Sequence, residues 1–231
     1  MSKKISVLMS VFNDEENVEK AILGILNQTY SNFEFLIVDD ASTDSTNEII
    51  GKYQKSDKRI KHLRNEKNIG LTKSLNQLLK IADGEFIARQ DSDDISLIER
   101  FEKQLYELTK KNIVGCSTRA IIRNSSRITP NKSYYFPKKF VMNIKNPFVH
   151  GSLFIYKSEI LSIGGYDETF YYAQDYKLMA DLLAVNKKVS ILKEPLYILN
   201  ISNNISTKFK KEQKYFADCV KSGKTPNSEE S

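Results

Sequence analysis

Three short apolar runs, each breaking off at a polar, carboxylate- or amide-containing turn and each followed by a helical stripe, constrain this chain more than any other feature. Ile5 to Phe12 reads as a buried strand that ends at Asn13-Asp14-Glu15-Glu16, where Asn13 and Glu16 have the spacing of a capping box. Val18, Ala21, Ile22, Ile25 and Leu26 then recur with helical period and define one buried face. A second strand, Phe33 to Val38, stops at Asp39-Asp40-Ala41-Ser42-Thr43-Asp44, ahead of a helix carrying Ile49, Ile50 and Tyr53. The third unit runs from a strand at Arg59 to Leu63, through a polar turn ending at Gly70, into a stripe of Leu71, Leu75, Leu78, Leu79 and Ala82. Strand, helix, strand over such short spans is a βαβ unit, whose crossover is right-handed and whose strands are parallel.

The stretch Glu85 to Asp94 repeats the pattern with more charge. Phe86, Ile87 and Ala88 follow the turn Asp83-Gly84 as a strand, and Ile98, Phe101, Leu105 and Leu108 predict a helix after it. Asp91, Asp93 and Asp94 therefore sit at the carboxyl end of a strand, the edge at which open α/β sheets bind ligands. Two readings fit. The acids cap a helix and favour its positive end, or they hold a hard divalent cation that keeps positions open for phosphates. Asp39 and Asp40 lie on the same edge. They suit hydrogen bonds to a nucleobase or ribose, and equally a turn with Ser42 or Ser45 starting the next helix. Gly70 suits a tight loop, while Lys67, Lys73 and the amino end of the third helix offer positive charge and free N–H groups to a phosphate.

At 231 residues and 40% hydrophobic content the chain can bury a full core. It has no apolar run near the ~20 residues that span a bilayer, and Met1-Ser2-Lys3-Lys4 leads into a strand rather than a signal-peptide core, so a cytoplasmic protein is expected. Cys116 and Cys219 are too far apart to form a metal or redox pair motif. The net charge of +6 is partly concentrated in Lys208, Lys210, Lys211, Lys214, Lys221 and Lys224. These surround Phe209, Phe216, Ala217 and Val220, which predicts a weakly amphipathic helix, either an ordinary solvated one or one that lies on anionic lipid. No nucleic-acid-binding module accompanies the charge. Ile113 to Ile122 reads as a strand, Arg123 to Lys139 as a loop or hairpin, and Leu153 to Tyr156 as a strand. Lys188 to Leu192 and Leu196 to Leu199 read as two closing strands separated by Glu194-Pro195, and Ser222 to Ser231 as a disordered tail.

Six segments in order carry a family resemblance. Val38-Asp39-Asp40-Ala41-Ser42-Thr43-Asp44, Asn68-Ile69-Gly70-Leu71-Thr72-Lys73-Ser74-Leu75-Asn76 and Ile87-Ala88-Arg89-Gln90-Asp91-Ser92-Asp93-Asp94 resemble the nucleotide-binding half of family 2 glycosyltransferases. His150-Gly151-Ser152, Gly164-Gly165-Tyr166-Asp167-Glu168 and Ala173-Gln174-Asp175-Tyr176-Lys177-Leu178 are similar to its acceptor-side half. The resemblance implies a GT-A, Rossmann-like α/β fold with a mostly parallel central sheet flanked by helices and a smaller acceptor-side subregion. It places a glycosyltransferase domain at 1–205, with a nucleotide-binding half at 1–94 and an acceptor-side half at 95–205, ahead of a basic helix and tail at 206–231.

The same resemblance implies inverting transfer of a sugar from a nucleoside diphosphate donor, usually a UDP-sugar, to an acceptor hydroxyl. Val11, Asn13, Asp39, Asp40, Asn68, Gly70, Lys73, Asp91 and Ser92 would contact the donor, with Asp39 at the uracil. Asp91 and Asp93 would hold Mn²⁺ or Mg²⁺, and Asp175 would deprotonate the acceptor. His150, Gly165 and Tyr166 would meet the acceptor or the diphosphate. A glycan or lipid-linked glycan is the implied acceptor, in cell-surface polysaccharide assembly at the inner face of the plasma membrane, with the basic C-terminal helix touching the lipid. Asp175 also reads as the start of a helix carrying Leu178, Met179, Leu182 and Leu183, whose dipole is expected to depress its pKa. Gln174 and Leu75 depart from the family pattern, the first in place of an acid and the second in place of a base. A noncatalytic nucleotide-sugar or metal-binding module is the alternative from another class.

Overall fold

The computed structural model describes residues 3–202 and 209–227. β1 (Ile5–Val11), β2 (Phe33–Asp39), β3 (Ile60–Arg64) and β4 (Phe86–Arg89) are joined by helices α1 (Val18–Leu26), α2 (Thr46–Ser56) and α3 (Leu71–Ile81). All pairings among these strands are parallel, as short βαβ crossovers require. Beyond β4 the polarity changes. β5 (Ile95–Ser96), α4 (Arg100–Lys110), β6 (Gly115–Ile122), β7 (Ile128–Thr129), α5 (Lys138–Met142), β8 (Phe154–Tyr156), α6 (Lys157–Ser162), α7 (Gln174–Ala184), β9 (Val189–Leu199) and α8 (Lys210–Ser222) follow in chain order. β8 lies antiparallel between β4 and β6, giving the sheet order β3-β2-β1-β4-β8-β6-β9-β5 with β7 hairpinned on β6.

Alternation along the strands builds a core on each face of this sheet. Ile5, Val7, Met9, Phe35, Ile37 and Phe86 point towards α1, α2 and α4. Leu8, Leu36, Val38 and Ile87 point to the other face, where Leu75, Leu78, Leu182 and Phe216 cover them from α3, α7 and α8.

Four expectations from the sequence change here. The acids at 91–94 do not cap the helix after them, because β5 intervenes and α4 begins only at Arg100; Ile98, counted in its stripe, is exposed. Asn13 does not cap α1, which starts at Val18 after Asn17; it stands at φ 49° and its Oδ1 accepts from the Thr43 amide at 2.8 Å. The two closing strands are one strand, β9, whose pairing with β6 skips residues around Glu194-Pro195, the bulge that lets a proline sit inside a sheet. The apolar side of α8 is packed into the protein, with Phe216 fully buried, leaving Lys210, Lys211 and Lys214 exposed. Lys208 and residues 228–231 of the expected tail lie outside the described residues.

Candidate active site

The carboxyl ends of β1, β2 and β4 meet along one edge, and the turns leaving them are tied to one another. Asp40 amide donates to the Val11 carbonyl, Asn13 amide to Ser42 Oγ, and Ser92 Oγ to Asp14 Oδ2 at 2.6 Å. Asn13 and Ala41 both hold positive φ, strain that the surrounding bonds sustain at this edge. Asp39 is fully buried; its Oδ1 accepts from the Ser42 amide, while Oδ2 lies 3.4 Å from Arg64 Nε and has no hydrogen-bond donor. That oxygen is a buried acceptor that no protein hydrogen-bond donor satisfies.

Asp40 has a different task from the one expected of a donor contact. Its oxygens accept from Asn65 Nδ2 and from the amides of Ile69 and Gly70, at 2.7 to 3.0 Å, so the carboxylate shapes the loop instead of facing a ligand. Asn68 Oδ1 also caps the Gly70 amide. Gly70 stands at φ 87° with the Tyr171 ring so close that an added Cβ would lie 2.7 Å from it, a position only glycine fills without strain. Lys73 and Lys67 are exposed beside this loop.

The acidic turn after β4 is buttressed from behind. Arg89 is fully buried; it donates to the Leu8 carbonyl and, at 2.6 Å, to Asp91 Oδ1. Asp94 is buried too and accepts from the Asn200 amide, while the Tyr197 hydroxyl takes the Asp91 amide. A Cβ on Gly151 would collide with the Tyr197 hydroxyl and come within 2.6 Å of Asp91 Oδ2, so the residue after His150 has to be glycine for these groups to pack. Burial, with the charges of Asp91 and Asp14, pushes the Asp93 carboxyl up to about 7. Burial raises Asp14 as well, and holds Asp94 well above the usual carboxylate range. Among the described residues no three acid, imidazole or thiol side chains form a cage for an ion.

Asp175 lies in the first turn of α7, after Ala173 at φ 52°. Its Oδ2 accepts from Asn146 Nδ2 at 2.8 Å. Contrary to the helix-dipole expectation its pKa is raised: burial outweighs the bonds from the Tyr176 amide and Asn146, and the charge of Asp91 adds to the shift. Asp175 is thus close enough to the acidic turn for the Asp91 charge to act on it. His150 Nε2 lies 3.0 Å from the Tyr166 hydroxyl, and burial with the nearby Arg89 charge keeps the ring neutral. Tyr166 is 2% exposed, and Asn76 of α3 clamps its backbone from both sides; Gly165, at φ 87°, forms the turn before it. The Tyr166 hydroxyl is thus the side-chain contact that holds the His150 ring. Asp14, Arg89, Asn146, Gly151 and Tyr197 escaped the sequence reading; a charged residue inside an otherwise apolar strand, Arg89, was the one visible signal.

Residues 6–164 match the profile described as Glycosyl transferase family 2. The chain belongs to that family. This family 2 glycosyltransferase is 37% identical to EpsE of Bacillus subtilis over 171 residues, 71% of this chain and 60% of EpsE. It is 31% identical over 224 residues, 94% of this chain and 86% of that protein, to WfgD of Escherichia coli. WfgD is named a UDP-Glc:alpha-D-GlcNAc-diphosphoundecaprenol beta-1,3-glucosyltransferase. Its fold is that of GT-A enzymes. S. aureus TarS 1-349 in complex with UDP-GlcNAc aligns at a TM-score of 0.74 with 21% identity, over 87% of this chain and 59% of that one. Mannosyltransferase PcManGT from Pyrobaculum calidifontis, in complex with GDP-Man and Mn2+, aligns at 0.76 with 17% identity, over 98% and 66%. The chain thus spans about three fifths of EpsE and of the TarS fragment.

Proposed function

We propose that this glycosyltransferase moves a sugar, with inversion, from a UDP-linked donor to a hydroxyl of a lipid-linked glycan during polysaccharide assembly on the cytoplasmic side of a membrane. The observation that carries the reading is the electrostatic deficit at Asp93, a carboxyl pushed up to about 7 by burial and by the charges of Asp91 and Asp14. A cation removes that deficit, and Asp91 and Asp93 would hold it. Two carboxylates without a third suit Mg²⁺ or Mn²⁺, which complete their shells with water and substrate phosphates. Such an ion neutralises the charge that develops on a departing diphosphate.

The chain's own groups supply the rest. Asp39 Oδ2 accepts a hydrogen bond from the base, the Gly70 turn and Lys73 face the phosphates, and Asp14 with Ser92 closes the edge near the ribose. Asp175, in the ionised form that a base needs, takes the proton of the acceptor hydroxyl as the new bond forms on the face opposite the leaving group. Asn146 fixes the carboxylate's direction. Support for a UDP-sugar and a lipid-linked acceptor comes from the name of WfgD and from the UDP-GlcNAc complex of TarS. Among the described residues no helix is long and apolar enough to cross a membrane.

Calorimetric titration with UDP, GDP, TDP and CDP, with and without Mn²⁺, on the wild type and on Asp93→Asn, tests the reading. Metal-dependent UDP binding that Asp93→Asn weakens is the expected result. Nucleotide binding indifferent to metal across the panel overturns it.

A further inference from the structure

Between Glu107 and Glu159 the chain carries no Asp or Glu and ten Lys or Arg. Inside that interval an apolar group faces outward. Tyr135, Phe136, Phe140 and Ile144 are 71%, 53%, 58% and 64% exposed. The short helix α5 explains how: Phe140 lies on its outer side and Ile144 in the turn that follows it, while Val141 and Met142 are buried. Lys132, Lys139 and Lys145 are exposed around the same group. Large aromatic and aliphatic side chains left in water cost free energy, and a contiguous set of them rimmed by one sign of charge marks an interaction surface. Aromatic rings at headgroup depth with lysines around them are what the interface of an anionic bilayer accommodates.

We propose that residues 131–145 are a docking surface whose occupant is the headgroup layer of an anionic membrane. Charge complementarity favours that occupant: a second copy of the chain would bring the same lysines face to face and repel. Helix α8, the other basic segment, attracts anions with Lys210, Lys211 and Lys214 but has packed Phe216 and Cys219 into the core, leaving Phe209 at its start as its one large exposed apolar side chain among the described residues. The position of the surface links it to the site. Ile144 and Asn146 are two positions apart, at most about 7 Å of chain, and Asn146 holds Asp175. The Tyr176 hydroxyl donates to the Met142 carbonyl, a second tie between α5 and the start of α7. An enzyme docked through this surface would hold Asp175 beside the headgroup layer, where a glycan on a membrane lipid presents its hydroxyl. This last step rests on the lipid-linked acceptor proposed above.

The protein contains no Trp, so one introduced indole is a clean probe. Phe140→Trp places it in the surface, and Tyr106→Trp places it at a 62% exposed position of α4 outside the acid-free interval. With vesicles of three parts phosphatidylcholine and one part phosphatidylglycerol, Phe140→Trp emission should shift to the blue and Tyr106→Trp emission should stay. Neither should respond to phosphatidylcholine alone. Co-sedimentation of otherwise unaltered protein should weaken about fivefold for each of Lys139→Gln and Lys145→Gln. It should fall to background in Phe136→Ser/Phe140→Ser/Ile144→Ser.

An unshifted indole overturns the proposal. So does a triple variant that still sediments, a loss caused by Lys210→Gln/Lys211→Gln instead, preference for single-stranded RNA over the vesicles, or dimerisation by light scattering that the triple variant abolishes. Titration of the triple variant with UDP and Mn²⁺ serves as a folding control and separates this proposal from the donor reading, because vesicle binding requires no turnover.

Discussion

Replacing Asp93 with Asn should make the metal-free protein more stable while it removes a proposed metal ligand. The folded carboxyl titrates at about 7, against an ordinary 3.8. For an acid with a raised folded pKa, folding is penalised in the ionised form. The penalty is absent below the unfolded value, builds as the pH rises from about 4 to 7, and stays level above that. About three pKa units correspond to roughly 4 kcal/mol at neutral pH as a ceiling, and about 2 kcal/mol once neighbouring groups and water relax around the charge. For a chain of this size 2 kcal/mol moves the melting temperature by about 4–8 °C. Scanning calorimetry of wild type and Asp93→Asn in EDTA, at pH 8 and pH 4, reads the difference directly. The gain should be present at pH 8 and shrink to a few tenths of a kcal/mol at pH 4, and Mn²⁺ with UDP should raise the wild type past the variant. A variant that is equal or less stable at pH 8, or equally stabilised at both pH values, refutes the electrostatic argument.

Asp175→Asn should lower kcat by about 10²- to 10⁴-fold with UDP affinity unchanged in calorimetry. In the wild type, kcat should fall as the pH drops through a limb above the ordinary carboxylate range, because Asp175 works ionised and its pKa is raised; the residual activity of Asp175→Asn should lack that limb. Arg89→Met leaves Asp91 Oδ1 and the Leu8 carbonyl without their buried donor, at a cost of about 3–5 kcal/mol in urea unfolding. Gly70→Ala forces a left-handed φ on alanine and a clash with Tyr171; a loss of about 1–3 kcal/mol, with weaker UDP binding by calorimetry, is expected.

The nucleotide half was legible because its strands and helices carry their own periodicity. Val18 to Leu26 and Leu71 to Ala82 repeat at helical spacing, and parallel pairing follows from the crossovers between them. The acceptor half was less so. β5 is two residues long and leaves no alternation to read, so the stripe that begins at Phe101 was extended back to Ile98. Pro195 argued for two strands until the bulge against β6 is seen. At the site, residue type placed the carboxylates on the right edge but could not divide them. Asp39 and Asp40 are adjacent and chemically alike, yet one keeps an oxygen without a donor and the other is occupied by loop amides, a distinction set by residues 25 to 30 positions further on. The Asp175 pKa came out with the opposite sign because burial, which no local pattern reports, outweighs the hydrogen bonds that favour the charged form.

The bonds that finish the acidic turn span nearly half the chain. The Tyr197 hydroxyl accepts from the Asp91 amide, and the Asn200 amide donates to Asp94, each pair 106 positions apart. Contacts of such separation form late, since loop closure has to be met before they repay it. During synthesis the four parallel strands emerge with their acids already in sequence but without the partners that orient them. A growing chain thus completes β1 to β4 before β9 exists, the strand that brings Tyr197 and, just after it, Asn200 to the acidic turn.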